Sequence, residues 1–310
     1  MSTEGGTKAI IAALLANLGI AVTKFVAYLI SGSTSMLAES VHSLADSGNQ
    51  VLLIIGGRRA KKAATPEHPF GFGRERYVFA FLVSIILFSV GGVFSIYEGV
   101  HKVQHPEPIN VPWLPLTVLV ISILLESFSL RTALKESAAQ RRGISILQFV
   151  RRAKAPELPV VVLEDIAALV GLVLALFGVG LAVITGNGVW DGVGTIMIGL
   201  LLVVVAVLLG IETQSLLVGE GASEEDSQAI RAATEAVPDV ERIIHMKTLY
   251  LGPEELLVAM KVAVTPTQSA SAVAGAINAV EARVREAVPS ARVMYIEPDI
   301  FDPDRTTTAG

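Results

Sequence analysis

The sequence predicts an all-α six-helix transmembrane domain followed by a small α+β cytoplasmic domain. Three observations predict it. Six runs of about twenty apolar residues occupy the first two thirds of the chain. Basic residues gather in alternate connections between those runs. After about residue 215 the period of the pattern changes from spanning length to short strands and amphipathic helices. The composition agrees: 52% of the 310 residues are hydrophobic and only 17% are charged, where a soluble domain carries about a quarter charged residues.

The six spans are expected at about 8–31, 35–57, 76–100, 112–133, 159–184 and 190–214. Their loops set the orientation. Arg58, Arg59, Lys61, Lys62, Arg74 and Arg76 surround the connection after the second span. Arg131, Lys135, Arg141, Arg142, Arg151, Arg152 and Lys154 do the same after the fourth. The remaining connections, Ser31 to Ser33, Lys102 to Pro112 and Thr185 to Gly188, are nearly free of basic side chains. Cytoplasmic loops hold the excess of Lys and Arg, so both termini are expected in the cytoplasm. The first apolar run starts near Met1 and is long enough to span, so no cleavable leader is expected. A multi-pass protein of a bacterial inner membrane is the expected location.

Residues 1–214 are thus read as the membrane domain and 215–310 as the cytoplasmic one, with a short disordered tail. In the second, SEEDSQAIRAATEAVPDV is an amphipathic helix. ERIIHMKTLYLG and EELLVAMKVAVT alternate as two strands around a Gly252-Pro253 turn. QSASAVAGAINAVEARVREAVP is a helix opened by Thr265-Pro266-Thr267, and ARVMYIEPDIF is a third strand. The order αββαβ describes a ferredoxin-like α+β unit with helices over one sheet face.

Chemistry concentrates in the second span, SMLAESVHSLADSGNQVLLIIGG. His42 and Asp46 are four residues apart and share a helix face. Ionisable groups cost several kcal/mol at bilayer depth and mark ion paths or relays. Imidazole with carboxylate is half of a divalent-metal shell. The alternative for the pair is a buried hydrogen bond that only joins two helices. With no cysteine in the chain, a metal must be held by His, Asp, Glu, Asn or backbone oxygen. Glu164 and Asp165 in the fifth span supply complementary carboxylates. One imidazole with two or three carboxylates suits Zn2+ and tolerates Mn2+, Fe2+ or Co2+. Nothing calls for an organic cofactor or nucleic acid: the net charge is a small −5, and no phosphate loop or nucleophile–base set is evident, so no enzyme is expected.

Other polar residues within the spans and loops fall into separate roles. Lys24, Glu126 and Asp191 are expected in structural ion pairs, with a proton path as the alternative for Glu126. Asn17 and Asn49 are expected in interhelical hydrogen bonds. His68 sits in a tight turn set by Pro69, Gly71 and Gly73. His101 and His105 are a metal pair only if helical, and Pro106 ends a helix there. Gly171, Gly178 and Gly180 are expected to let the fifth span pack closely.

The His42-Asp46 pair, the acidic element of the fifth span, the C-terminal αββαβ unit and HPFGFGRER at 68–76 together resemble the cation diffusion facilitator family. VVVLEDIAALVG and ESFSLRTALKE look like its mitochondrial-type zinc-transporter branch and the bacterial relatives of that branch. The resemblance implies a homodimer that exports divalent metal, mostly zinc, in exchange for protons across the lipid bilayer. It also implies a tetrahedral site with two ligands from the second span, His42 and Asp46, and two from the fifth. Asp165 fits the second of these, but the first falls on Val161. Glu164 is the near substitute. Adjacent helical residues lie about 100° apart, so Glu164 and Asp165 ligate together only if the helix turns or unwinds, or a water completes the shell. Glu164 as an acceptor that orients His42, or as a proton carrier, stays open beside ligation. In the cytoplasmic unit the resemblance implies metal ligands where this chain has Ile244, Lys261 and Tyr295. His245, Glu297 and Asp299 do not form a constellation, and the unit is read as a dimerisation module. A non-transporting membrane metal sensor or dimeric scaffold is the rival reading.

Overall fold

The computed structural model describes residues 3–141 and 143–303. Arg142 of the second basic group and the tail from residue 304 lie outside the described residues. The chain divides into two compact units. The first takes Met1–Arg58 and Tyr77–Gln214, the second Arg59–Arg76 and Ser215–Gly310.

The first unit is helical. α1 (Thr3–Ser31) and α2 (Thr34–Arg59) are followed by α3 (Glu75–Gln104), α4 (Trp113–Arg141), the short α5 (Ile146–Arg152), α6 (Glu157–Thr185) and α7 (Val189–Val218). Of these, α3, α4, α6 and α7 are long and apolar enough to cross a membrane, and Asn17–Ser31 of α1 is a shorter apolar helix. Of the six apolar runs expected to span, four are found among the described residues. The reason in α2 is local: Glu39, His42, Asp46 and Asn49, with four serines between Ser35 and Ser47, dilute its hydropathy.

Inside α3, Leu87–Val93 winds as a π-helix, a feature the apolar pattern does not announce. Such segments add a residue to a turn and re-aim the helix beyond it. Close packing next to it relies on glycine. A Cβ on Gly92 would lie 2.7 Å from Val203, and one on Gly99 2.8 Å from the Gly192 carbonyl oxygen, so α3 and α7 meet backbone to backbone. On α6, Gly178 likewise meets Gly194 of α7, with 3.1 Å left for a Cβ. Gly171 packs on the Glu39 carboxylate. Gly180 faces open space, so the close packing expected there is absent.

The second unit contains α8 (Glu224–Glu235), β1 (Arg242–Gly252), β2 (Glu255–Ala263), α9 (Ala270–Ala287) and β3 (Val293–Asp299). β1 and β2 form an antiparallel hairpin, and β3 joins β2 in parallel after the α9 crossover, giving the order β1-β2-β3. This is the αββαβ order read from the pattern. Ser223 and Ser269 cap α8 and α9, each accepting a backbone N–H three residues on. α9 thus starts a few residues after the Thr265-Pro266-Thr267 segment expected to open it. Leu256, Val258, Met260 and Val262 alternate onto the covered sheet face and pack with Ile230, Val280 and Val284 of the helices.

Tyr250, on β1 in this core, donates its hydroxyl to Asp226 of α8 at 3.2 Å. Burial first, then the Asp226 charge, pushes its phenol up to about 12. The folded state holds the proton more tightly than the unfolded chain, whose phenols titrate near pH 10. This contribution is complete below about pH 10 and is lost as pH rises towards 12. The urea midpoint of this unit, monitored in the full chain by limited proteolysis, is expected to fall across that window. Tyr250→Phe is expected to remove this component of the pH dependence.

Candidate metal site

α2 carries the site because of spacing. Glu39, His42, Asp46 and Asn49 recur at intervals of three, four and three, which places them on one stripe of the helix. Each member meets a different group. Glu39 Oε2 is 3.0 Å from Lys24 Nζ of α1, both side chains being buried. Lys24 also donates to Ser43 Oγ at 2.8 Å. His42 Nδ1 stands 3.5 Å from Asp46 Oδ1. Asn49 Nδ2 donates to Glu164 Oε1 of α6 at 2.8 Å.

The start of α2 is anchored by Asp191 of α7. Its Oδ2 accepts the Thr34 N–H at 2.7 Å, and its Oδ1 accepts the Ser35 N–H at 3.2 Å and the Ser33 hydroxyl at 2.9 Å. A carboxylate at a helix N-terminus satisfies its free N–H groups and complements its dipole. Asp191 is therefore a cap supplied from another helix and not the ion-pair member expected from sequence. The signal lay in Ser33-Thr34-Ser35, where a helix opens inside the bundle and the Thr34 and Ser35 N–H groups need an acceptor.

His42 is 1% exposed, and among the described residues neither ring nitrogen has a hydrogen-bond partner. Asp46 Oδ1 is also buried without one. A buried polar atom left without a partner costs roughly 1–3 kcal/mol. An imidazole nitrogen and a carboxylate oxygen facing each other, unsatisfied, have the donor chemistry that a divalent cation accepts.

On α6 the two candidate acids separate as their 100° offset requires. Glu164 is buried and turns to Asn49 of α2. Asp165 is half-buried and accepts from Ser129 Oγ of α4 at 3.1 Å. Asp46 lies within electrostatic range of both. Glu126, one turn before Ser129, faces the same charges and has no ion-pair partner among the described residues, contrary to the expected pairing. Among the described residues, no three His, Asp or Glu side chains already converge on one point that could hold a metal ion. The structure thus brings His42 and Asp46 together and leaves Glu164 and Asp165 on separate neighbours nearby. Glu39, Ser43 and Ser129 are the site neighbours that sequence reasoning missed. The Glu39 spacing to His42 was the available clue.

In the second unit, Thr65 and His68 exchange backbone hydrogen bonds at 3.0 and 3.2 Å, and the His68 ring stacks on Phe72 at 4.6 Å. His68 is part of a turn. Across the sheet His245, Lys261 and Glu297 stand side by side in register. Lys261 Nζ lies 2.9 Å from Glu297 and 3.1 Å from Asp299, so an ammonium holds both carboxylates.

Comparison with known proteins gives the class. Residues 10–218 match the cation efflux transmembrane domain, and residues 222–298 match the cation efflux protein cytoplasmic domain. The chain belongs to the cation efflux family. It is 32% identical over 251 residues to the human proton-coupled zinc antiporter SLC30A9, mitochondrial, covering 80% of this chain and 44% of that protein. It is 31% identical to metal tolerance protein C4 of Arabidopsis thaliana, covering 82% of this chain and 56% of the relative. It is 24% identical to an uncharacterized transporter, MJ0449, of Methanocaldococcus jannaschii, covering 95% and 98%. The chain spans about half the length of the first two. Among solved structures, a MamM C-terminal domain in a nickel form matches 26% of this chain and all of its own, at 22% identity and a TM-score of 0.25.

The Lys24–Glu39 pair tests the electrostatic frame of the stripe. Removing one member of a buried pair leaves an uncompensated charge and costs about 3–5 kcal/mol. Lys24→Met is expected to lower the thermal midpoint of the detergent-solubilised protein substantially. Lys24→Met with Glu39→Gln is expected to recover much of the loss, since the orphan charge is then gone.

Proposed function

We propose that this chain is a secondary transporter that moves a divalent metal cation, Zn2+ foremost, out of the cytoplasm in exchange for protons. The observation that carries the reading is the buried His42 imidazole, without a hydrogen-bond partner and facing Asp46 within a helix bundle of the cation efflux family. His42, Asp46 and Asp165 are proposed ligands, with Glu164 joining them or accepting protons beside them. Release of Asn49 and Ser129 would free Glu164 and Asp165 for that role.

Proton coupling follows from the ligands. Imidazole and carboxylates must be deprotonated to hold metal, so metal and protons compete for the same atoms. Protonation on one side ejects the ion, and loss of those protons on the other admits it. Alternating access would rock paired helices around the stripe. Six spans are proposed for residues 1–214, from α1, α2, α3, α4, α6 and α7, with both termini cytoplasmic as the basic loops require. Residues 215–310 form the proposed dimerisation domain of a homodimer. The names of SLC30A9 and metal tolerance protein C4 support a metal substrate.

The deciding experiment is Zn2+ and Mn2+ flux into proteoliposomes under an imposed pH gradient. Flux is expected to follow the gradient and to fall at least tenfold in Asp46→Ala and in Asp165→Ala. Flux indifferent to the gradient sinks the antiport. Absence of flux for either metal in folded protein favours the sensor or scaffold reading, with Val161 in the fifth span as the reason.

A further inference from the structure

Two imidazoles stand side by side at the end of α3, outside the α2 stripe. The helix closes at Gln104, and the His105 N–H donates to the His101 carbonyl oxygen at 2.9 Å. Pro106 has no N–H to extend the ladder. His101 and His105 therefore share the last turn. Their ring centroids are 4.9 Å apart with planes inclined by 33°. Two imidazoles on one tetrahedral zinc, with Zn–N of about 2.0–2.1 Å, place their centroids about 5 Å apart. His105 caps the helix with non-helical φ −126° and ψ 71°, so the pairing rests on the observed ring contact and not on helical spacing.

The two rings line a cavity of about 300 Å³ together with Glu98, Glu107 and Thr34. Glu98 precedes His101 by three residues and shares its face. Lys102 also borders the cavity, but its Nζ is committed to the Gly32 carbonyl oxygen at 3.0 Å and its side chain is buried. The other charged side chains lining the cavity are carboxylates, so its potential favours a cation. Thr34, on the cavity wall, opens α2. His42 lies eight residues further, about 12 Å along the helix axis.

We propose that His101 and His105 form a second divalent-cation site, weaker than the α2 stripe and open to solvent. Glu98, Glu107 or water completes its shell, since among the described residues no carboxylate stands in ligating position with both rings. Two exposed imidazoles without a thiolate hold an ion loosely, which suits a staging post where ions gather before or after the stripe. The site rests on its own residues and does not depend on the direction of transport.

The test is equilibrium binding of Zn2+ alone to the full chain in detergent, with His42→Ala and Asp46→Ala together removing the stripe. That chain is expected to keep one weak zinc equivalent. Adding His101→Ala and His105→Ala is expected to abolish it or weaken it at least tenfold. His101→Gln with His105→Gln, which keeps size and polarity, is expected to do the same in a chain of unchanged helicity. Absence of zinc binding in the stripe-free chain overturns the proposal. So does binding that persists undiminished without the two histidines. Binding is read without flux, so a failure of the transport reading leaves this result standing.

Discussion

Everything in the helical unit depends on one constraint: a helix that carries Glu39, His42, Asp46 and Asn49 among apolar neighbours must find a local answer to each. Unmatched charge at bilayer depth is costly, and an isolated neutral polar side chain costs less but still several kcal/mol. The answers come from separate helices. α1 supplies Lys24 for Glu39, α6 supplies Glu164 for Asn49, and α7 supplies Asp191 for the exposed N–H groups at the helix start. Among the described residues, His42 Nδ1 faces Asp46 Oδ1 at 3.5 Å and neither atom has a hydrogen-bond partner. The stripe is therefore tied to neighbouring helices through one atom of Glu39 and one of Asn49, whose other oxygens, like both His42 nitrogens, have no hydrogen-bond partner among the described residues. The neighbouring pairs fix the position of α2, so the unsatisfied pair persists without the helix rotating to relieve it.

Much of this is legible in the sequence alone. The long apolar helices, the αββαβ order and the Gly252 turn come from apolar length and from a period of two against 3.6, which are properties of the chain itself. The His42-Asp46 pair is legible for the same reason, since i and i+4 share a face whatever surrounds them. The partners are not. Which helix lies beside α2 is a matter of packing, and nothing local to Lys24 names Glu39. Asp191 shows the limit well. As a lone acid in an apolar run it reads as half of an ion pair, yet four backbone and hydroxyl donors around Ser33 to Ser35 replace the cation.

The π-segment of α3 and the glycine contacts of α3 with α7 belong to the same class of unread detail. Gly92, Gly99, Gly192 and Gly199 stand out in sequence only once the two helices are known to touch. Gly180 looks equivalent to Gly178 and has nothing near it. In the second unit the alternation of β2 set both its strand character and its covered face. The Lys261 contact with Glu297 and Asp299 required the parallel register of β2 and β3.

The cap that Asp191 places on α2 has a consequence for which length changes the gene tolerates. The helix phase is set at Thr34, and the stripe is counted from there. One residue inserted between Ser35 and His42 would turn the imidazole, and Asp46 and Asn49 with it, by about 100° relative to the cap, carrying Asn49 away from Glu164 of α6. The same insertion in the Pro106–Pro112 connection changes only loop closure, at a cost of tenths of a kcal/mol. Drift in length among related chains should therefore be confined to connections, and the interval from Ser33 to Asn49 should read as a ruler of fixed length.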